Sequence, residues 1–225
     1  DTAREVYGEA LEVLLEGMTH DSLSYSGKHF NYKDVPMELR PLQDPHPPLW
    51  YPSSNPGGSA YAGENGFHYC TLGGVEMAKA NIAAFNEAYA KRGATIGAQR
   101  PFPGGAAIGI SRQVTVAATD AEALKIAGPA YKVWHDSLTK LWRENNVEGP
   151  QFARNTVDSV EKAIAGGTHI AGSPETVCEQ LAEQIDALGV NYVISAFNFG
   201  DMTHEDALRS ITLFGEEVMP KLADL

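Results

Sequence analysis

The chain alternates short apolar runs with longer amphipathic stretches, and this alternation narrows its possible architecture more than any other feature. Pro48 to Tyr51, Phe67 to Leu72, Ala107 to Ala118 and Tyr192 to Phe199 read as extended. Between and after them lie helical patterns: one capped at Asn55-Pro56, one over residues 75–91, one capped by Asp120 and running to about Arg143, one from Ser173-Pro174-Glu175 to about Leu188 and stopped by Gly189, and one from about His204. Strands separated by helices of that length form a parallel sheet with the helices outside it. Four such units are visible. A closed (β/α)8 barrel takes eight strands and about 250 residues, so the pattern predicts about half a barrel.

The flanking segments are less regular. Val6, Ala10, Val13 and Leu14 place a helix over residues 3–16, and residues 23–34 alternate aromatic and polar side chains around Ser26-Gly27, the pattern of a hairpin. A proline-rich crossing runs from Pro36 to Pro48. Residues 145–170 carry Asn145-Asn146, Gly149-Pro150 and Gly166-Gly167, breakers that predict a mobile loop with at most a short helix over 157–165. With 225 residues, 43% of them hydrophobic, the chain can bury one sizeable core, so residues 1–225 are expected to form a single domain.

Charge and cysteine content exclude several classes of function. The net charge of −12 comes from carboxylates spread over helices, which argues against a nucleic acid partner. Cys70 and Cys178 stand far apart, outside any zinc-ligand pattern, so neither a disulfide framework nor a metal site is expected. No apolar run reaches the roughly 18 residues needed to cross a bilayer, and no basic-then-apolar leader opens the chain, so a cytoplasmic location without membrane attachment is expected.

The strongest chemical signal is the turn after the first strand. Ser53, Ser54, Asn55, Gly57, Gly58 and Ser59 surround a helix start, where free amides and the helix dipole favour a phosphate, and no acidic side chain lies between Ser53 and Tyr61. An ordinary capped helix is the competing interpretation. Asn198 and Phe199 close the last strand, at the end that faces the active rim of a barrel, and are candidates for a substrate pocket. His68 and Cys70 share a strand face and read as a buried histidine and a core thiol. Arg112, a charge in an apolar strand, reads as the anchor of a structural salt bridge, with a place beside a cofactor as the alternative. Tyr131, Trp134, Leu138, Leu141 and Trp142 fall at helical spacing and read as core. No residue stands out as catalytic.

The segments PPLWYPSSNPGGSAYAGENGFHYCTLG, ISRQVTVAATDAEA and GSPETVCEQLAEQIDALGVNYVISAFNFGDMTHEDALRSITLFGEEVMPKL, in that order and spacing, resemble the bacterial-luciferase-like flavin-dependent monooxygenases. The resemblance implies an α/β protein of (β/α)8 TIM-barrel type, here the carboxy-terminal half with an inserted hairpin. It implies reduced FMN, supplied by a separate flavin reductase, and oxygen acting on a small organic substrate. It implies that the FMN phosphate sits at the turn matching Ser54, Asn55 and Gly58, with Ser53 and Ser59 beside it, and that residues 145–170 cover the flavin. Family members carry a further amino-terminal half, so a homo-oligomer or pairing with a missing half barrel is expected. A deazaflavin-dependent oxidoreductase of the same superfamily and a non-catalytic flavin-binding or assembly module are the alternatives.

Overall fold

Residues 2–92, 106–149 and 154–223 are described by a computed structural model, and they fall into two compact units. The first takes in residues 2–49. It opens with α1 (Thr2–Thr19), followed by the antiparallel hairpin β1 (Ser22–Ser26) and β2 (Asn31–Pro36), with Tyr25 opposite Tyr32 and a bulge between Leu23 and Tyr25. The hairpin expected around Ser26-Gly27 is therefore present. What holds it is a row of carboxylates at positions 5, 9 and 12, a spacing that keeps all three on one face of α1. Glu5 binds the Lys28 ammonium at 2.6 Å and Glu12 accepts the Tyr25 hydroxyl at 2.6 Å. Between them the Glu9 carboxylate accepts the backbone amides of Lys28, His29 and Phe30 at 2.8, 2.7 and 3.1 Å. A β-carbon at Gly27 would fall onto that carboxylate, which explains the glycine.

The second unit holds the parallel sheet. Its strands are β3 (Trp50–Pro52), β4 (His68–Thr71), β5 (Ile108–Val116), β6 (His169–Gly172) and β7 (Tyr192–Ala196), and the sheet remains open among the described residues. Five strands, not the four legible in the sequence, are therefore present. β6 is short and lies inside a stretch that reads as irregular, so periodicity could not reveal it. β5 is the hub: its start pairs with β4 (Tyr69 beside Ile108), its end with β6 (Val114 beside Ile170), and its middle with β7 (Ser111 beside Ile194).

Helices follow the strands as the pattern predicted. α2 (Pro56–Asn65) is capped by the Asn55 side chain and ended by Gly66 in the left-handed region at φ 68°. α3 (Val75–Lys91) follows β4, and α4 (Asp120–Glu144) follows β5. The cap of α4 is Thr119, not Asp120, because the Asp120 carboxylate is turned onto the Ser173 amide at 2.7 Å. Within the 145–170 segment lies α5 (Val160–Ala165), and β6 begins before the segment ends; residues 150–153 lie outside the described residues. α6 (Pro174–Leu188) is capped by Ser173 and ended by Gly189 at φ 60°, as expected. α7 (His204–Leu213), a π-helical turn over Phe214–Val218 and α8 (Met219–Leu222) complete the chain. Val114, Val116 and Ile170 pack against Val177, Leu181 and Val218 on one side of the sheet. Ala117, Ala171 and Phe199 pack among the small residues of α4, with Val160 and Ala163.

The hairpin's attachment depends on a charged Glu9. Desolvation pushes its carboxyl up, but the three amides outweigh this and hold it below the ordinary 4.5. A group lowered in this way stabilises above its unfolded pKa and loses that contribution as pH falls through the folded value. Replacing Glu9 by Ala should speed hydrogen exchange of the Lys28, His29 and Phe30 amides at neutral pH, and wild-type chain acidified below the carboxylate range should reproduce the effect. Protection of those amides that survives the substitution would contradict the anchoring role.

Candidate functional site

A cavity of about 430 Å³ opens at the carboxy-terminal ends of β3, β4 and β7, beside the middle of β5 and the amino-terminal end of β6. One wall comes from strand ends and the turns that follow them: Ser54 after β3, Leu72, Gly73 and Gly74 after β4, Ser111 and Gln113 on β5, and Ala196 at the end of β7. The facing wall is built from Tyr131, Trp134 and Leu138, one turn apart on α4, with Val157 and Thr168. The pleat explains the first wall. Ile110, Arg112, Val114 and Val116 point to one side of β5 and are buried, leaving Gly109, Ser111 and Gln113 on the other, where two polar side chains reach the cavity. That alternation was present in the sequence as a polar interruption of an apolar strand. The stripe on α4, read from sequence as core, is divided by the structure: Tyr131, Trp134 and Leu138 line the cavity while Leu141 is largely exposed.

The Ser53–Ser59 turn does less than its composition suggests. Asn55 spends its side chain on the Gly58 amide at 2.9 Å, and the Ser59 amide goes to the Asn55 carbonyl at 3.0 Å. Ser59 is fully buried, its hydroxyl donating to the Asn55 carbonyl at 2.7 Å and lying 2.8 Å from the Tyr69 hydroxyl. Ser53 donates to the Asn55 carbonyl at 3.1 Å, and the Tyr69 hydroxyl closes the knot on the Ser53 carbonyl at 3.0 Å. Gly58 also faces inward, since a β-carbon there would lie 3.1 Å from the Ser53 Cβ and nearer still to its Oγ. What the turn offers a ligand is Ser54, on the cavity rim, and Gly57, whose amide meets no acceptor among the described residues and whose missing side chain would have room. Of the five residues expected to hold a cofactor, only Ser54 reaches the cavity.

Asn198 and Phe199 are placed elsewhere. Asn198 is exposed, and Phe199 is buried edge-on against His169 at 5.1 Å; Ala196 represents that strand end in the cavity instead. His68 and Cys70 are buried as expected: the His68 Nδ1 accepts the Ala107 amide at 3.0 Å, and desolvation pushes the Cys70 thiol up to about 11. No cluster of potential metal ligands occurs among the described residues. Arg112 is buried on the helix side of β5, but in place of the expected salt bridge it is bound to neutral groups, the Gln184 side chain and the carbonyls of Gly73 and Ser111. Among the described residues the only cation in the cavity lining, Lys162, is paired to Asp158 at 2.7 Å, and no carboxylate lines the cavity.

Comparison with known proteins agrees with this geometry. Residues 1–192 match the luciferase-like monooxygenase family, and the chain belongs to it. It is 28% identical over 216 residues to the uncharacterized protein y4wF of Sinorhizobium fredii, covering 96% of this chain and 60% of that protein. Among solved structures it resembles the oxygenating constituent of 3,6-diketocamphane monooxygenase from Pseudomonas putida in complex with FMN, with a TM-score of 0.72, 21% identity and coverage of 97% of this chain and 63% of that one. It also resembles an F420-dependent secondary alcohol dehydrogenase in complex with an F420-acetone adduct, with a TM-score of 0.66, 18% identity and coverage of 95% and 60%. The fold is that of luciferase-like α/β proteins of barrel type, and the chain spans about 60% of the length of these relatives. Among the described residues no helix is long and apolar enough to cross a membrane.

His169, beside the cavity wall at Thr168, makes a separate claim about stability. It is fully buried between Tyr131 and Phe199, with Nε2 3.3 Å from the Thr115 hydroxyl, and desolvation lowers its pKa from 6.5 to about 4. Below pH 6.5 the unfolded chain takes up a proton that the folded chain refuses, so stability falls between pH 6.5 and 4, by at most about 3 kcal/mol. His169→Phe should flatten that part of the stability profile, measured by urea unfolding at pH 7 and pH 4.5. An identical difference between the two pH values in wild type and variant would refute the assignment.

Proposed function

We propose that this chain is the carboxy-terminal part of a flavin-dependent monooxygenase that uses reduced FMN and oxygen to oxidise a small organic substrate. The observation that carries the reading is the cavity at the strand ends, with Ser54 on its rim and the Gly57 amide left open at the start of α2. Its volume lies in the range of small-molecule sites, and polar side chains reach it from both walls, Ser54, Ser111 and Gln113 on one and Asn155, Thr156 and Thr168 on the other. In this reading the Ser54 hydroxyl and the Gly57 amide bind the phosphate, aided by the dipole of α2. Ser111 and Gln113 orient the ligand from the sheet side. Leu72, Met77, Trp134, Leu138 and Val157 keep water out of the reaction space. Reduced flavin, when bound, supplies the electrons that activate oxygen, and a separate reductase renews them.

The open sheet supports the view that more of the barrel belongs beside this chain. Trp50, Tyr192 and Ile194, on the same sheet face as Ser111, have 37%, 38% and 39% of their surfaces exposed, more than a finished barrel interior allows. We assign that face to the remaining strands of a complete luciferase-like barrel. The likeness to an F420-dependent dehydrogenase favours a deazaflavin as the second choice of cofactor, one that would transfer hydride without oxygen.

The test separates phosphate from ring. Gly57→Asp places a carboxylate where there is room for it and where the phosphate is assigned, so FMN affinity should fall at least tenfold, the loss of about one charge-assisted hydrogen bond, while riboflavin affinity stays the same. Gly58→Asp, in contrast, would push Ser53 out of its turn and damage both ligands together with stability. Equal losses of FMN and riboflavin from Gly57→Asp would remove the phosphate assignment, and oxygen consumption that does not depend on a reductase would remove the proposed source of electrons.

A further inference from the structure

Arg112 is 1% exposed, and among the described residues every hydrogen-bond partner of its guanidinium is neutral. Nε donates to the Gln184 side-chain oxygen at 2.7 Å, and Nη1 donates to the Gly73 and Ser111 carbonyls at 3.0 and 2.8 Å. Nη2 has no acceptor among the described residues, and no ion pair among them includes Arg112. The nearby Cys70 cannot serve as a counter-ion, because its thiol, raised to about 11, is protonated at neutral pH. Desolvation lowers the pKa of Arg112 to about 10, which still leaves it charged there. A buried charge without a partner is costly, and an apolar side chain would fill the same space without that cost.

The position of the charge suggests what it does. Gly73 and Ser111, whose carbonyls hold Nη1, both line the cavity, so the guanidinium lies directly behind that wall. Its partner Gln184 abuts the turn at Gly166-Gly167, and Gly166 lines the cavity as well. Inside a poorly polarisable wall, a charge at this depth acts on the cavity with little screening. Among the described residues no carboxylate lines the cavity to oppose it, and Lys162 is matched by Asp158.

We infer that Arg112 tunes the redox preference of the site: its unneutralised positive charge favours the anionic reduced ring of a flavin over the neutral oxidised ring. The inference rests on the flavin reading above, but it concerns the charge of the ring and not the phosphate, which both redox states carry. It makes Arg112 a group that acts through the cavity wall without touching the ligand.

The experiment is an anaerobic binding titration of the full chain, its Arg112→Met and Arg112→Lys variants, with oxidised and reduced FMN and with oxidised and reduced riboflavin. Wild type should bind the reduced form of each at least tenfold more tightly than the oxidised form, equivalent to a rise of about 30 mV in the midpoint potential of the bound flavin. Arg112→Met should bring the ratio close to one by weakening the reduced form, and Arg112→Lys, which keeps a charge but loses the fork, should retain more of it. Equal loss of both redox forms would mean that Arg112 only supports the wall, and loss confined to FMN would mean that it serves the phosphate; either result overturns the inference. If Arg112→Met does not fold, the wild-type ratio decides: a value near one overturns the inference, and a value of ten or more that falls in Arg112→Lys supports it. Binding of flavin in both redox states with no preference would leave the flavin reading standing and remove this one, whereas no binding in either state would remove both.

Discussion

The hydrogen bonding of β5 is the constraint on which the second unit depends. β4, β6 and β7 all pair with it, and β3 joins through β4, so the register of one nine-residue strand sets the positions of four others. Its pleat then divides the work. Ile110, Val114 and Val116 bury against helices on one side, with the apolar area that drives association of the layers. Gly109, Ser111 and Gln113 face the other way, into what a closed barrel would enclose. A slip of one residue would exchange the two sets, placing Ser111 and Gln113 against the helices and Ile110 in the cavity. Fold and site are therefore specified by the same hydrogen bonds.

The start of α2 shows how a capping arrangement and a ligand site compete for the same atoms. A helix has four amides without internal partners at its first turn, and a phosphate can use only those that the protein has not already satisfied. Here Pro56 has no N–H, Asn55 occupies the Gly58 amide, and the Ser59 amide closes on the Asn55 carbonyl. The Ser53, Ser59 and Tyr69 hydroxyls are bound to one another's backbone or to each other, fixing the turn to β4. That leaves one amide and one hydroxyl, both on the open side. A turn already ordered in this way would lose little entropy if an anion bound to it.

Much of this fold was legible because its signals are local. The caps Asn55 and Ser173, the stop at Gly189 and the hairpin at Ser26-Gly27 each depend on a few neighbouring residues, and the structure places them as the sequence suggested. β6 was not legible: its four residues owe their strand conformation to pairing with Gln113 through Val116, far away in sequence. The site was less legible than the fold for the same reason. Composition flagged every small polar residue of the turn, but direction separates Ser54 from Ser59, and direction depends on Tyr69. The α4 stripe carries identical periodicity whether it meets core or cavity, so Trp134 and Leu138 could not be distinguished from packing residues until the opposing wall was known.

The distribution of charge connects the cavity to the rest of the molecule. The chain carries a net −12, its carboxylates are spread over helices and loops, and among the described residues none belongs to the cavity lining. An anionic ligand approaching such a protein is repelled at long range, and counter-ions screen that repulsion beyond about 8 Å at physiological salt. Near the cavity the balance differs, because the Arg112 guanidinium lies behind Gly73 and Ser111 and no carboxylate occurs in the lining among the described residues. An anion held there would depend on short-range terms that salt changes little, while an acidic exterior would act on its rate of approach.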